Sequence, residues 1–169
     1  MALPTILQKN PQFFIALQYH TLLLNRRLLV FMTEKELVVL KAGGLLSDQH
    51  PTSGLANLIL SPLQVASGRM QALHYLQPKY VKRYAAFDEL GRGIVEADPF
   101  NFAIPYAAID EVQKVTKRKW GMGSVPYTGR LNVVTTNKTY EFILLGDQNL
   151  DEIHSKLLNR IDRSATIRS

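Results

Sequence analysis

The residues of this chain that could bind a metal or move a proton are scattered along it. The histidines are His20, His50, His74 and His154, and no two of them have the sequence spacing of metal ligands. His154 falls beside Ile153 on a predicted helix, which favours a side chain at the core edge or in solvent over a ligand or general base. Cysteine is absent, so the chain has no disulfide, no thiolate zinc site and no cysteine nucleophile. We therefore predict no metal site.

The acidic residues and the glycine-rich segments do not form a catalytic pattern. The acidic pairs are Asp88-Glu89, Asp110-Glu111 and Asp151-Glu152. Neighbouring side chains diverge on a helix or a strand, so none of these pairs makes a convergent acid and base. The segment Gly121 to Gly123 lacks the third glycine and the following Lys-Ser or Lys-Thr of a phosphate loop. We therefore predict a protein that is not an enzyme and that uses no cofactor.

One cluster of residues has the chemistry of a binding surface. Four cations fall within six residues, directly before a tryptophan and a glycine-rich loop, and Val112 to Trp120 is predicted to form a polar, basic strand. At an anionic membrane each exposed cation contributes roughly 1 kcal/mol, and an indole prefers the level of the lipid headgroups. The alternative is a solvated strand in which the tryptophan covers the core. The candidate ligand-binding residues are Lys114, Lys117, Arg118, Lys119, Trp120 and Arg130.

A second candidate surface lies in the middle of the chain, where aromatic and basic residues are interleaved. Such a mixture suits a protein partner or a bilayer interface. The alternative is that the aromatic rings are buried against the rest of the fold. The candidate partner-binding residues are Tyr80, Arg83, Tyr84 and Phe87.

The overall charge favours anionic partners. Twenty Lys and Arg residues against fourteen Asp and Glu residues give a formal charge of +6, which suits a membrane surface or nucleic acid but also a solvated surface with no partner. Nucleic acid is the less favoured partner, because the interleaved aromatic residues of a stacking platform are sparse near the basic cluster. No apolar run approaches the roughly 20 residues of a membrane helix, and no signal peptide is evident. We therefore expect a soluble cytoplasmic protein, peripheral to the membrane if the basic cluster binds lipid.

The elements that must position the basic cluster are clearest at the C-terminal end. Residues 131–145 alternate apolar and polar positions on both sides of Asn137-Lys138, which predicts two antiparallel strands joined by a tight turn. A helix capped by Asn149 follows, and it is expected to lay an apolar stripe on the sheet and to fray after Asp162. The predicted buried positions are Leu131, Val133, Tyr140, Phe142 and Leu144 on the strands and Leu150, Ile153, Leu157 and Ile161 on the helix.

Strand signals also dominate the N-terminal part of the chain. After a loose arm over residues 1–11, the run Phe13 to Leu24 suits one strand or two short ones. The apolar runs Leu28 to Met32 and Leu37 to Leu40 flank the polar turn Thr33 to Glu36, so this part is predicted to be a hairpin.

A helical insertion is predicted between these strand-rich parts. Residues 44–99 have few β-branched residues and place apolar residues at helical spacing. Helices are expected over Ser53 to Leu60, from Ser61, and from Pro78 to Gly91. Because the insertion interrupts an otherwise continuous strand pattern, we expect it to be separable from the sheet.

Two segments together resemble GRAM and bacterial pleckstrin-homology-like domains. The first is LLVFMTEKELVVLKAG, in which Val30 to Leu40 matches an early hairpin of those families. The second begins with the Ile-Pro-Tyr corner, Ile104 to Ile109, and continues through the late hairpin to the closing helix. The resemblance implies an α+β fold, a pleckstrin-homology-like antiparallel β-barrel or sandwich of about seven strands closed by a C-terminal helix.

The resemblance also implies a domain organisation and a function. The chain is expected to be a single domain, 1–169, with the pleckstrin-homology-like core at 12–43 and 100–162 and the helical insertion at 44–99. Such domains are non-catalytic binding modules, so the expected partners are anionic lipid headgroups at the inner membrane surface or a protein. The alternative is an oligomerising scaffold that uses the insertion as its interface.

Overall fold

The computed structural model of the protein describes residues 5–19, 26–44, 75–122 and 125–166. Within them, a seven-stranded antiparallel sheet is flanked by helices. The strands are β1 (Phe13–Gln18), β2 (Arg26–Met32), β3 (Glu36–Gly43), β4 (Phe102–Pro105), β5 (Ile109–Val115), β6 (Tyr127–Thr135) and β7 (Lys138–Leu145). The helices are α1 (Thr5–Lys9), α2 (Pro78–Tyr84), α3 (Arg92–Glu96) and α4 (Leu150–Thr166), with a 3-10 turn at Tyr106–Ala108.

The strand order β4-β3-β2-β1-β7-β6-β5 makes β4 and β5 the two edges of the sheet. These edges are consecutive in the chain and are joined by the turn Tyr106–Ala108. Because such a short connection spans only about 10 Å, the sheet curls into a half-barrel whose edges approach each other at this corner. The Tyr106 hydroxyl fixes the corner by donating to the Thr33 carbonyl of the β2–β3 turn, 2.9 Å away. An antiparallel sheet of seven strands with a C-terminal helix is thus confirmed for the described residues.

The β6–β7 hairpin follows the predicted alternation of apolar and polar positions. Leu131 pairs with Phe142 and Val133 pairs with Tyr140, which places all four on the face of the sheet that α4 covers. We call this the inner face. The helix contributes the predicted stripe to the same cluster, with Leu150, Ile153 and Leu157 buried and Ile161 partly buried.

The ends of two elements differ from the sequence-based expectation because polar side chains bond to nearby backbone groups. The β6–β7 turn lies one residue earlier than predicted, since Lys138 already pairs with Thr135 and donates its N–H to the Thr135 hydroxyl at 3.2 Å. Helix α4 has its predicted cap, with the Glu152 N–H donating to Asn149 Oδ1 at 3.0 Å. It continues beyond Asp162 to Thr166, whose hydroxyl donates to the Asp162 carbonyl at 3.1 Å.

The opposite face of the sheet, which we call the outer face, is buried as well. Antiparallel sheets often leave one face in water, but here strands β1, β2, β3 and β7 are apolar on both sides. The outer face is covered by α1, whose Ile6 and Leu7 are buried, so the expectation of a loose N-terminal arm is wrong over this helix. Its buried strand residues are Ile15, Leu17, Leu29, Phe31, Val38, Leu40, Ala42, Ile143 and Leu145.

The described part of the insertion completes the cover of the outer face. Helix α2 starts at Pro78 as predicted but ends at Tyr84, and Phe87 packs against the core from the segment that follows. Leu76, Tyr80, Val81, Tyr84 and Ile94 all belong to the buried outer cluster. Because this part supplies core residues, the sheet is expected to depend on it, whereas the sequence pattern predicted a separable insertion. The helices predicted over Ser53 to Leu60 and from Ser61 lie outside the described residues.

Gln148 makes a link between strands that the sequence did not indicate. Backbone pairing between β1 and β7 covers only Ala16 and Leu17. Beyond that point the buried Gln148 side chain takes the place of a backbone partner for Ile15. Its Oε1 accepts a hydrogen bond from the Ile15 N–H at 2.8 Å. Its Nε2 donates to the carbonyls of Ile15 at 2.6 Å and Leu145 at 2.7 Å. The segment between β7 and α4 is therefore fixed to the centre of the sheet.

Candidate functional site

The basic cluster lies in a loop rather than in a strand. Strand β5 ends at Val115, where pairing with β6 stops at Arg130, and the described residues 116–122, 125 and 126 belong to no helix or strand. We call residues 116–122 the basic loop. The prediction of a basic strand over Val112 to Trp120 is wrong beyond Val115. A loop can present consecutive side chains to one surface, whereas a strand would have pointed them alternately to opposite sides.

Trp120 projects from the basic loop into solvent. Its side chain is 88% exposed, against 39% for Phe100 and 37% for Leu158, the other exposed large apolar residues in the described ranges. The alternative in which Trp120 covers the core is therefore wrong. Lys117 and Arg118, which precede it, are also exposed. The loop thus brings an indole and two cations to the same protruding segment.

Lys119 does not share this exposure, because it belongs to a charged cluster on the outer face. Its ammonium forms an ion pair with Glu141 of β7, and Arg130 Nη1 of β6 donates to the other carboxylate oxygen at 2.7 Å. The three side chains are only 17–22% exposed. Burial raises the pKa of the Glu141 carboxyl, but the hydrogen bonds from Lys119 and Arg130 outweigh it and hold this pKa below its ordinary value. We call these three residues the charge cluster.

The charge cluster also fixes the backbone of the basic loop. Arg130 Nη2 donates to the Lys117 carbonyl at 3.3 Å. The Lys119 N–H donates to the Tyr127 hydroxyl at 2.5 Å, and the Lys119 ammonium lies 5.0 Å from the centre of the Tyr19 ring. The loop is therefore held on the N-terminal side of Trp120 by contacts to β6, to β7 and to the residue that follows β1.

The C-terminal side of Trp120 is held as well. Gly121 has a φ of +85°, a left-handed conformation that glycine adopts without strain, and a Cβ at this position would lie 2.9 Å from the Tyr19 hydroxyl. Met122 then returns to the core, where it is 5% exposed. The indole consequently sits on a tight turn between two fixed points, Lys119 and Met122.

Lys114 is separated from the other predicted ligand-binding residues. It pairs across the sheet with Leu131, which puts its side chain toward the inner face, and it forms an ion pair with Asp151 of α4. The expected patch is thus divided into three parts. Lys114 supports α4, Lys119 and Arg130 belong to the charge cluster, and Lys117, Arg118 and Trp120 form the exposed surface.

A shallow cleft of about 410 Å³ lies beside the basic loop. It offers hydroxyl groups, one guanidinium and apolar carbon, which could hold a polar group. The Thr128 hydroxyl in its wall donates to the Gln148 carbonyl at 2.6 Å. The lining residues are Thr116, Arg118, Val125, Pro126, Tyr127 and Thr128.

The partner-binding surface predicted on the insertion is largely buried in the structure. Tyr80 and Tyr84 are 5% and 3% exposed, so their inclusion in an exposed interface is wrong, because both rings fill the core beneath α2. Phe87 is half-buried against the same core. Arg83 is exposed and forms an ion pair with Asp98 at 2.5 Å. The alternative of an oligomerising scaffold is weakened, because the aromatic side chains expected to form its interface are not exposed.

The described residues also bear on the role of His154, on metal binding and on membrane-spanning helices. A ring nitrogen of His154 lies 3.1 Å from the Val112 carbonyl and so donates a hydrogen bond that ties α4 to β5. Within residues 5–19, 26–44, 75–122 and 125–166, no three histidine or acidic side chains are grouped as metal ligands. No helix in this part of the chain has both the length and the apolar character to cross a membrane.

Comparison of the chain with protein-family models, curated proteins and solved structures found no match.

Proposed function

We propose that this protein is a non-catalytic binding module with a pleckstrin-homology-like fold, which docks on anionic membranes through its basic loop. The exposure of Trp120 carries the proposal. A large apolar side chain that is exposed to water in the free protein gains the most free energy when it enters an apolar environment such as a membrane. Lys117 and Arg118 beside it select an anionic phase.

The chemistry of the basic loop matches the layered structure of a bilayer surface. An indole combines an apolar ring with one N–H donor, and it settles at the headgroup level, where both are accommodated. Each exposed cation adds roughly 1 kcal/mol near an anionic leaflet. The cleft beside the loop is lined by hydroxyl groups and the Arg118 guanidinium, which could donate hydrogen bonds to a polar headgroup. The half-barrel supports the loop at the ends of β5 and β6.

Replacing Trp120 with alanine is expected to weaken binding to mixed phosphatidylserine and phosphatidylcholine vesicles by roughly 10- to 100-fold. Burying a large apolar side chain is worth about 1.5–3 kcal/mol, which corresponds to that change in affinity. Because the chain has a single tryptophan, the blue shift of its fluorescence on vesicle addition reports insertion directly. Thermal unfolding of W120A should match the wild type, since the ring is outside the core.

The control for this measurement is Leu158→Ala, which removes another exposed apolar side chain, in this case from α4. It should leave vesicle binding unchanged. Wild-type protein whose tryptophan emission does not shift on anionic vesicles would contradict the proposed function.

The double substitution Lys117→Ala with Arg118→Ala is expected to weaken binding to the same vesicles by about 2 kcal/mol, or roughly 30-fold, at low salt. The wild-type affinity should fall as salt is added, and the affinity of the double variant should fall less, because fewer charges are left to screen. Sedimentation with vesicles over a range of salt concentrations measures both quantities.

A matched control removes two exposed cations from α2, as Lys79→Ala with Lys82→Ala. Both double variants change the net charge equally, so a general charge effect would weaken them equally. An equal loss in the two variants, or equal wild-type binding to anionic and neutral vesicles, would argue against docking through the basic loop.

A further inference from the structure

The charge cluster contains an acidic residue at a place where simple electrostatics would exclude one. Glu141 lies beneath the loop that carries Lys117 and Arg118, and a carboxylate near an anionic membrane opposes binding. The contacts of Glu141 offer a different reason for its presence. It is the common acceptor for Lys119, which is part of the basic loop, and for Arg130, which also donates to the Lys117 carbonyl of that loop. The Lys119 backbone N–H is held separately by the Tyr127 hydroxyl.

We infer that Glu141 is a positioning residue, which orders the basic loop so that Trp120 projects toward the membrane before contact. This inference rests on the proposed function. Glu141 draws the Lys119 side chain down onto the outer face, and the next side chain, Trp120, projects into solvent. The backbone then turns at Gly121, and Met122 returns to the core. Arg130 fixes the preceding part of the loop through the Lys117 carbonyl.

Ordering the loop in advance reduces the conformational entropy that membrane binding would otherwise cost. Immobilising one flexible side chain on association costs about 0.5–1.5 kcal/mol, so a loop that is already fixed on both sides of the indole binds more tightly than a loose one. The positions of the three charges suit this role. All three are mostly buried, so salt and water weaken their interactions less than those of exposed pairs.

The cluster depends on its only acidic member. Without Glu141, two mostly buried cations would face each other without a counter-ion, and Arg130 Nε already has no hydrogen-bond partner within the described residues. Like-charge repulsion would then drive Lys119 outward and release its hold on the loop. The expected consequence is greater motion of Trp120 in the free protein.

The positioning role and simple electrostatics predict opposite effects of Glu141→Gln. By charge alone, removing a carboxylate raises affinity for anionic vesicles, and a freed Lys119 would raise it further by meeting lipid phosphate. If Glu141 positions the loop, E141Q instead lowers the affinity by roughly 3- to 10-fold, in line with the cost of ordering the loop on binding. The sign of the change therefore separates the two.

The experiment uses two variants that alter net charge in opposite directions, Glu141→Gln and Lys119→Gln. Time-resolved anisotropy of the single tryptophan in the free protein measures loop motion, and vesicle titration with phosphatidylserine measures affinity. Both variants should show faster local motion of Trp120 and weaker binding. Glu34→Gln makes the same chemical change in the exposed β2–β3 turn and should alter neither quantity.

Each outcome decides between the possibilities. Unchanged tryptophan motion in both variants, or tighter vesicle binding by E141Q, overturns the positioning role, as does faster motion without any loss of affinity. If the wild-type protein does not bind vesicles, the proposed function is overturned instead. Ordering of the loop by Glu141 would then have no role in membrane binding. In that case the anisotropy of E141Q still shows whether Glu141 orders the loop.

Discussion

Replacing Phe142 with alanine is expected to destabilise the protein by about 3–5 kcal/mol, the usual cost of removing a buried phenylalanine ring. Phe142 is fully buried on the inner face, pairs with Leu131 and packs edge to face against Phe14 at a centroid distance of 5.9 Å. The cavity would open beneath α4, which covers this face, and the rigid sheet could collapse into it only in part. Equilibrium unfolding in urea, with the slope compared between variants, measures the loss.

The matched control is Phe100→Ala, which removes the same ring from a position that is 39% exposed. Its expected cost is about 1 kcal/mol, because Arg26 and Lys41 lie over the ring and their cation–π contacts are lost. Similar unfolding midpoints for F142A and F100A would mean that Phe142 does not face the core, and the register of β7 would then be wrong.

The β6–β7 hairpin and α4 could be predicted because their signals are local. An alternating strand face, a tight turn and a helical stripe all occur within about 30 consecutive residues, and each has its own period. The cover of the outer face could not be predicted in the same way. Residues such as Ile143 lie between two inner-face positions, and their burial depends on helices that come from the N-terminal arm and the insertion.

The apolar runs of β1 and β2 do contain a sequence signal for burial on both faces of the sheet. A strand with one solvated face alternates, whereas Phe13 to Leu17 and Leu28 to Met32 are apolar at every position. Continuous apolar strands are typical of sheets covered on both faces. That signal indicates a second layer, although it does not say which segment provides it.

The residue types of the candidate site could be predicted from the sequence, but the separation of these residues into three groups could not. The sequence placed Trp120 beside a group of cations, yet only the contacts show that Lys119 is held by Glu141 and that Lys114 belongs to the α4 side. Part of the charge cluster follows from the hairpin alone. With Leu131 opposite Phe142, Arg130 and Glu141 lie diagonally on the same face, a separation that long side chains can bridge. The contribution of Lys119 comes from a loop, whose path no periodicity predicts.

The described part of the insertion is expected to be as important for stability as the inner core, and Tyr84→Ala should cost about 3–5 kcal/mol. The Tyr84 ring is 3% exposed between α2 and the outer face. Its hydroxyl lies 2.8 Å from the Lys41 carbonyl and 3.0 Å from Asn101 Oδ1, two acceptors at the edge of the sheet. Burial raises the pKa of this hydroxyl to about 12, so it keeps its proton and its role as a donor at neutral pH.

Two further substitutions show which property of Tyr84 matters. Tyr84→Phe keeps the ring but leaves buried acceptors with one donor fewer, and should cost about 1–2 kcal/mol. Lys82→Ala changes an exposed residue on the same helix and should stay within about 0.5 kcal/mol of the wild type. Urea unfolding followed by circular dichroism compares all three variants. A peripheral insertion would give Y84A the same midpoint as K82A, because the sheet would not depend on α2. A loss of several kcal/mol in the sheet signal itself would instead mean that α2 and the half-barrel unfold as one cooperative unit.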